Sequence, residues 1–249
     1  MVIGQRHVRV SVIIPTHNEA QAIGRVLADL PSDFTTEVIV VDSNSVDGTP
    51  DIAARMGARV VHEPQRGYGR ACLTGLAAAN FPDVVVFLDG DYSDRPSELP
   101  ILLRPITEGR ADITLGSRLQ GRRSVGVLPW HQVFGNRLAA KLIRLLYGLE
   151  ISDLGPFRAG RADVLRALAL EETTYGWAVE MILKGALAGF RVVEVPVSYY
   201  PRIGKSKIGG TLKGTVGAAW FILSLIVRYY LRRRIPGIPG PALGPPQNL

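Results

Sequence analysis

The segment Leu88-Asp89-Gly90-Asp91 sets two carboxylates two residues apart at the end of the apolar run Val84–Leu88. On an extended chain, side chains at i and i+2 project to the same side. The glycine between them lets a ligand approach the backbone closely. Carboxylates without histidine or cysteine suit a hard divalent cation, Mg²⁺ or Mn²⁺, of the kind that bridges phosphates. A solvated turn would also accept two aspartates, but the buried strand just before them favours a ligand. Two further apolar runs end in the same way. Val40-Val41-Asp42-Ser43-Asn44-Ser45-Val46-Asp47-Gly48-Thr49 brings Asp42 to a strand end where a base or ribose can be read, with Asp47 or Thr49 suited to cap a helix from Pro50. Ile13-Ile14-Pro15-Thr16-His17-Asn18-Glu19 does so again, with Thr16 or Asn18 able to cap the next helix and Glu19 suited to its first turn.

A different chemistry collects at the other end of the chain. All 22 acidic residues lie at or before Glu194, and eight cations follow it: Arg202, Lys205, Lys207, Lys213, Arg228, Arg232, Arg233 and Arg234. The remainder holds 21 cations against 22 acids, so the C-terminal part carries the whole formal charge of +7. Such a segment favours phosphates or an anionic membrane surface. Nucleic acid is excluded as the expected partner, because the rest is nearly neutral and no nucleic-acid module motif is present. Asp153 precedes the turn Gly155-Pro156-Phe157-Arg158, and Glu180 falls mid-helix beside Trp177 and Met181. Each is open to two readings, a buried structural pair or a functional contact, with Arg158 able to pair with either. Trp130 and His131 fit a binding groove or ordinary packing, and the one cysteine, Cys72, fits a small core position.

The elements that must position these groups follow from the hydrophobic pattern. Val10–Ile14, Val38–Val41, Arg59–His62, Val84–Leu88 and Asp112–Leu115 are short and rich in Val and Ile. Glu19–Leu30, Pro50–Met56, Gly69–Asn80 and Glu98–Ile106 between them show helical spacing. Runs apolar on both faces and separated by helices predict a mostly parallel α/β sheet covered on both sides, with ligands at the carboxyl ends of its strands. Longer helices follow, at Gly135–Tyr147, Arg161–Leu170 and Tyr175–Ala188, then a strand at Arg191–Val195. The 249 residues are divided as a catalytic domain over 1–200, a Gly-rich basic loop over 201–214, an apolar helix with a basic cluster over 215–234, and a Pro/Gly tail over 235–249 expected to be disordered. Within that helix, Arg228 interrupts the apolar run at fewer than the ~20 residues a span needs. An in-plane helix on an anionic leaflet, a short span and a helix packed on the domain all remain open. With 47% hydrophobic and 20% charged residues, the chain is not a disordered one. No basic-then-apolar segment opens it, so a cytosolic face is expected.

Taken in order, VIIPTHNE, VVDSNSVDGT, LDGDYSDRP, GSR at Gly116–Arg118, SDLGPFRA at Ser152–Ala159, YGWAVEM at Tyr175–Met181, EVPVSYYPR at Glu194–Arg202 and GKSKIGGT at Gly204–Thr211 resemble the family-2 glycosyltransferases of the GT-A fold. Within that family the chain is similar to the dolichyl-phosphate mannose synthase-like group, over about Val10 to Leu231. The resemblance implies a Rossmann-like sheet with helices on both faces and a C-terminal membrane-associating helix. It implies that Pro15, Thr16, Glu19 and Asp42 hold the base and ribose, with Asp89 and Gly90 also on the nucleotide. Asp89 and Asp91 would hold Mg²⁺ or Mn²⁺ on the diphosphate. Arg118, Arg202, Ser206 and Lys207 would hold an acceptor phosphate, with Asp91, Arg118, Asp153, Arg202 and Lys207 carrying the catalysis. Asp153, Trp177 and Glu180 would be sugar contacts. Two positions depart from the pattern: Ser43 stands where many relatives have a second Asp, and Ser93 where relatives often offer a Gln to the metal.

The implied reaction is an inverting transfer of a hexose from a UDP- or GDP-sugar to a polyprenyl phosphate at the cytoplasmic face of a membrane. A hydroxyl acceptor would need a general base. A phosphate is ionised near neutrality, with a second pKa of ~6, and needs cations instead. The acid-free loop after Glu194 offers them. A transferase using a soluble phosphorylated acceptor would share the donor site, and a non-catalytic nucleotide-binding scaffold on a membrane would share the fold. A homodimer is compatible with a membrane helix. A nucleotidyltransferase is not expected, because no Gly-rich phosphate loop lies near the N-terminus.

Overall fold

Strand β1 (Val10–Thr16) is apolar on both faces, with Val12 and Ile14 in one core layer and Ile13 in the other, and it therefore lies centrally in the sheet. The computed structural model describes residues 8–124, 126–204 and 212–232. Around β1 are β2 (Glu37–Asp42), β3 (Arg59–His62), β4 (Val84–Phe87), β5 (Ile113–Ser117), β6 (Arg158–Arg161) and β7 (Val192–Pro196). They form a seven-stranded sheet in the order β3-β2-β1-β4-β6-β5-β7. All neighbours are parallel except β6, which runs antiparallel between β4 and β5. The register sets Thr16 opposite Asp42, so the carboxyl ends of β1 and β2 share one edge of the sheet with the turn that follows β4.

The helices cover both faces. One core layer joins Val12, Ile14 and Val40 of the sheet to Ile23 and Val26 of α1 (Ile23–Ala28), Ala53 of α2 (Thr49–Arg55) and Leu99 and Leu102 of α4 (Leu99–Thr107). The opposite layer joins Ile13, Ile39, Val41 and Phe87 to α3 (Tyr68–Ala78), α6 (Ala162–Ala167) and α7 (Trp177–Leu187). Cys72 is wholly buried there, as a small core residue. A third cluster joins α5 (Trp130–Tyr147), α7 and α8 (Leu212–Arg232) through Ala139, Ile143, Val179, Leu183, Leu225 and Ile226.

The strands predicted from the sequence are all present, whereas β6 was not predicted. Its residues, Arg-Ala-Gly-Arg, have no apolar alternation, and it is a strand because its backbone pairs with β4 and β5. Helix α1 starts later than its pattern suggests. The N–H groups of Glu19 and Ala20 are held by Thr49 Oγ1 at 2.8 Å and by the Asp47 carboxylate at 3.0 Å. Helix α5 starts earlier, at Trp130, directly after Pro129, whose φ of −57° suits a helix entry.

The C-terminal helix packs on the domain along one side. Tyr147 Oη donates to the Ile226 carbonyl at 2.6 Å, and Leu225 and Ile226 are buried against α5 and α7. Its other side exposes Trp220, Val227 and Leu231. Among the described residues no helix is long and apolar enough to cross a membrane, which removes the short span from the three readings of this segment. The tail over 235–249, and the loop beyond Gly204 up to Thr211, lie outside the described residues.

Helix α3 reaches the sheet through a glycine. A Cβ on Gly75 would collide with the Ile13 side chain and lie 3.0 Å from Val41 Cγ2. Gly75→Ala is therefore expected to lower stability by about 1–3 kcal/mol, measured as a shift of the urea midpoint, since two β-branched neighbours in a close-packed layer have no room to yield.

Candidate functional site

The carboxyl edge of β1, β2 and β4 opens into a cavity of about 1050 Å³. Its polar end is lined by Pro15, Thr16, His17, Glu19, Ser43, Asp89, Gly90, Asp91, Arg118 and Arg202. Its other end is lined by Trp130, Phe134 and Leu138 of α5, Leu154, Tyr175, and Ala219, Ile222 and Leu223 of α8. Arg66, His131, Gln132, Asn136 and Thr174 also line it.

Gly90 packs closely on β1: a Cβ there would sit 3.0 Å from Thr16 Cγ2 and 3.4 Å from the Pro15 carbonyl. Asp89 and Asp91 flank it. Burial and the neighbouring Asp91 charge push the Asp89 carboxyl up to about 7, against the opposing effects of Tyr68, Arg202 and Arg118. Asp91 accepts the backbone N–H of Ser93 at 2.9 Å and its hydroxyl at 2.6 Å on Oδ1, and Arg202 sits 3.2 Å from Oδ2. Ser93 thus orients Asp91. Among the described residues no three His, Cys, Asp or Glu side chains are placed to hold a metal ion together. The pair nonetheless fits a hard cation that takes its other oxygens from a ligand and water, as Mg²⁺ commonly does.

Arg118 is aimed by Asp153. Nε donates to Oδ2 at 2.7 Å, Nη2 to Oδ1 at 2.8 Å, and the Arg118 backbone N–H to Oδ2 at 2.9 Å. Asn136 Nδ2 donates to the same carboxylate at 2.7 Å. Burial alone would raise the Asp153 carboxyl, but the Arg118 guanidinium holds it below the usual range. Asp153 does not line the cavity; it is a positioning residue for Arg118, which does. Arg118 also lies over the Tyr199 ring, 5.0 Å from its centre.

Asp42 is placed differently from the sequence expectation. Asp42 is only 3% exposed and is no part of the cavity wall. Its carboxylate accepts the Thr16 hydroxyl at 3.2 Å, the Ser45 N–H at 2.9 Å and the Ser45 hydroxyl at 2.5 Å. These bonds tie the carboxylate into the turn, and Thr16 and Ser43 line the cavity instead. Asp47 accepts the N–H and hydroxyl of Thr49, closing the entry to α2.

Trp177 and Glu180 also depart from their expected place. Trp177 is wholly buried between Tyr68 and Phe87, with ring centres 6.5 and 4.5 Å away. Glu180 is wholly buried as well. It accepts the backbone N–H of Glu171 at 3.0 Å and of Glu172 at 2.8 Å, the Tyr229 hydroxyl at 2.7 Å, and pairs with Lys184 at 2.9 Å. Neither reaches the cavity; of the two readings left open for Glu180, the structure selects the buried pair. Arg158, also open earlier, pairs with neither carboxylate: it donates to the carbonyls of Gly155, Pro156 and Ala178 and fastens the turn before β6. Ser206 and Lys207 lie outside the described residues, and Arg202 is the part of the basic loop that the cavity shows.

Sequence reasoning passed over Asp94. It is 1% exposed, neither carboxylate oxygen has a hydrogen-bond partner among the described residues, and burial followed by the charge of Asp89 drives its carboxyl well above the usual range. Its only signal in the sequence was membership of the run Asp89–Pro96. Asn136 gave none, because its partner lies 17 residues away.

The geometry meets known proteins at this point. The family description Glycosyl transferase family 2 matches residues 11–169. An uncharacterized glycosyltransferase of Mycobacterium tuberculosis is 38% identical over 221 residues, covering 86% of this chain and 98% of that protein. A dolichyl-phosphate hexose transferase of Haloferax volcanii is 35% identical, covering 80% and 86%. An undecaprenyl-phosphate mannosyltransferase of Micrococcus luteus is 35% identical, covering 83% and 90%. Among solved structures, glucosyl-3-phosphoglycerate synthase from M. tuberculosis superposes with a TM-score of 0.71 at 22% identity, over 89% of this chain and 80% of that one, which shows the shared fold.

Glu180→Ala removes the acceptor for Tyr229 and two backbone N–H groups and leaves Lys184 buried without its counter-charge. The expected cost is about 3–5 kcal/mol in urea unfolding, with nucleotide affinity of the folded fraction unchanged, because Glu180 is not on the cavity wall.

Proposed function

The chain belongs to glycosyl transferase family 2, and from that premise we propose that it moves a hexose from a UDP- or GDP-linked sugar to a polyprenyl phosphate. The observation that carries the proposal is the two-ended cavity: an ionic end at Asp89, Asp91, Arg118 and Arg202 that continues into an apolar wall from α5 and α8. A nucleotide sugar has no use for the apolar end, whereas an acceptor that is phosphate at its head and hydrocarbon behind it uses both. The names of the H. volcanii and M. luteus relatives point the same way.

In this reading Pro15, Thr16, Glu19 and Ser43 receive the base and ribose. Asp89 and Asp91 bind Mg²⁺ or Mn²⁺, a choice supported by solved complexes of the glucosyl-3-phosphoglycerate synthase with Mn²⁺ or Mg²⁺ and UDP. Such an ion supplies charge to the departing diphosphate. Arg118, held by Asp153, and Arg202, with Ser206 and Lys207, grip the acceptor phosphate. One of its oxygens attacks the anomeric carbon from the side opposite the diphosphate, and the configuration inverts. The attacking oxygen is already ionised, so no side chain has to remove a proton, and the work of the protein is orientation and charge. The C-terminal helix, with its exposed Trp220 and Leu231, supports association with an anionic membrane surface from the cytoplasmic side.

The test is a screen of labelled UDP- and GDP-sugars with purified protein and Mn²⁺ or Mg²⁺, with and without a short polyprenyl phosphate. Label is expected in the lipid phase, lost on chelation and reduced on the order of 100-fold or more by Asp91→Ala. Transfer to soluble phosphorylated acceptors with none to polyprenyl phosphate would overturn the acceptor assignment. Nucleotide binding without any turnover would overturn the enzyme reading.

A further inference from the structure

We propose that Tyr68 is a positioning residue for the divalent cation: its hydroxyl donates to Asp89 and holds that carboxylate in the orientation that binds the ion. The inference rests on the assignment of Mg²⁺ or Mn²⁺ to Asp89 and Asp91 and is independent of the acceptor. The two carboxylates stand differently in the fold. Asp91 accepts the Ser93 N–H at 2.9 Å and its hydroxyl at 2.6 Å, with Arg202 3.2 Å away. Asp89 has no such anchor among the described residues, and the side-chain hydrogen-bond donor that acts on it is the Tyr68 hydroxyl. That hydroxyl is fully buried, and no described residue lies within hydrogen-bond geometry of it. Donor and carboxylate therefore face each other unjoined, and catalytic contacts of this kind close when the ligand arrives. A buried hydroxyl left unpaired costs free energy, which a fold accepts where the group has a use.

Chemistry leaves the hydroxyl one good partner. The groups that act on it are Asp89, then Cys72 and Arg158. Arg158 has donors only, and they are spent on the carbonyls of Gly155, Pro156 and Ala178. Cys72, one turn further along α3, offers a sulfur, which is a weak acceptor. Asp89 offers a carboxylate. Tyr68 also lines the cavity, yet its oxygen is withheld from it, so the hydroxyl is not placed to meet a sugar or a base directly.

The fold fixes Tyr68 where it stands. It is the first residue of α3, and the helix start is fastened to the loop before α7. The Gly69 N–H donates to the Thr174 carbonyl at 3.1 Å, and the Arg70 N–H to the Thr173 carbonyl at 2.9 Å. So close an approach needs the glycines on either side of Tyr68: a Cβ on Gly67 would collide with the Thr173 carbonyl, and one on Gly69 with the Glu172 carbonyl. The ring then meets Trp177 edge-on, with centres 6.5 Å apart. Carboxylates that ligate metals are held by outer hydrogen-bond partners of this kind. Ser93 has that role for Asp91, and Tyr68 has it for Asp89.

The experiment titrates the full chain with Mn²⁺ in the presence of UDP or GDP and follows the free ion by electron paramagnetic resonance. Tyr68→Phe removes the hydroxyl and nothing else. It is expected to weaken Mn²⁺ binding by about tenfold or more. The melting temperature of the metal-free protein is expected to stay the same or rise, because the substitution breaks no hydrogen bond. Cys72→Ala removes the competing acceptor and is expected to leave Mn²⁺ affinity unchanged. Unaltered Mn²⁺ affinity in Tyr68→Phe overturns the proposal and leaves the metal assignment standing. So does an equal loss of affinity in Cys72→Ala, because the hydroxyl then acts through the thiol. A wild-type chain that binds no Mn²⁺ with either nucleotide overturns the metal assignment, and the role of Tyr68 with it.

Discussion

The Asp153 carboxylate is the tie on which the site depends. Its side chain is wholly buried, and it gathers three N–H groups of Arg118, the Asn136 amide and the Leu154 N–H. Arg118 follows β5, and Asn136 belongs to α5. One side chain therefore sets the cation of the ionic end and the helix that forms the apolar wall in fixed relation. The cost of burying this charge is met by a two-pronged guanidinium contact, and either partner alone would be left as an uncompensated ion. The loop is held from behind as well. Glu194 of β7 accepts the N–H groups of Ser152 and Asp153 at 2.9 Å each, and the Ser152 hydroxyl at 2.8 Å.

Against that rigid frame the turn after β4 stands in electrostatic tension. Asp89, Asp91 and Asp94 crowd together. Asp91 has Arg202 and Ser93, and the Asp94 carboxylate has no hydrogen-bonding partner among the described residues. Close carboxylates in a dry turn cost free energy unless something positive joins them. Arg118 is already committed to Asp153, so the turn cannot draw fully on it. A divalent ion held at Asp89 and Asp91 would meet that deficit.

How much of this was legible in the sequence depended on whether the signal was local. The runs Val10–Ile14 and Val84–Leu88 declared themselves as strands because each is apolar on both faces, and the strand ends marked the polar edge correctly. Strand β6 was hidden, since its identity lies in the backbone of β4 and β5 rather than in Arg158–Arg161. Asp42 and Glu180 show the same limit from the side of chemistry. A carboxylate at a strand end, or mid-helix among apolar residues, looks alike whether it faces a ligand or a buried partner. Only the placement of Ser45, or of Tyr229 some 49 residues away, separates the cases. Trp130 was weighed as groove or packing, and its helix begins a turn and more before the periodic pattern because Pro129 sets the entry.

The Glu180 network connects the core to the part of the cavity that the sequence described least. Helix α8 supplies Ala219, Ile222 and Leu223 to the apolar wall, and among its described side chains Leu225, Ile226 and Tyr229 hold it on the domain. Tyr229 donates to Glu180, Tyr147 to the Ile226 carbonyl, and Tyr147 meets Tyr230 edge-on at 5.9 Å. These are directional contacts inside an otherwise apolar seam. They fix the rotation of α8 about its axis, which Leu225 and Ile226 alone would leave loosely specified. Rotation decides which residues meet the cavity and which meet solvent. A wall composed of one helix tied by Asp153 and another tied by Glu180 thus has its width set by two buried carboxylates, neither of which touches the space it shapes.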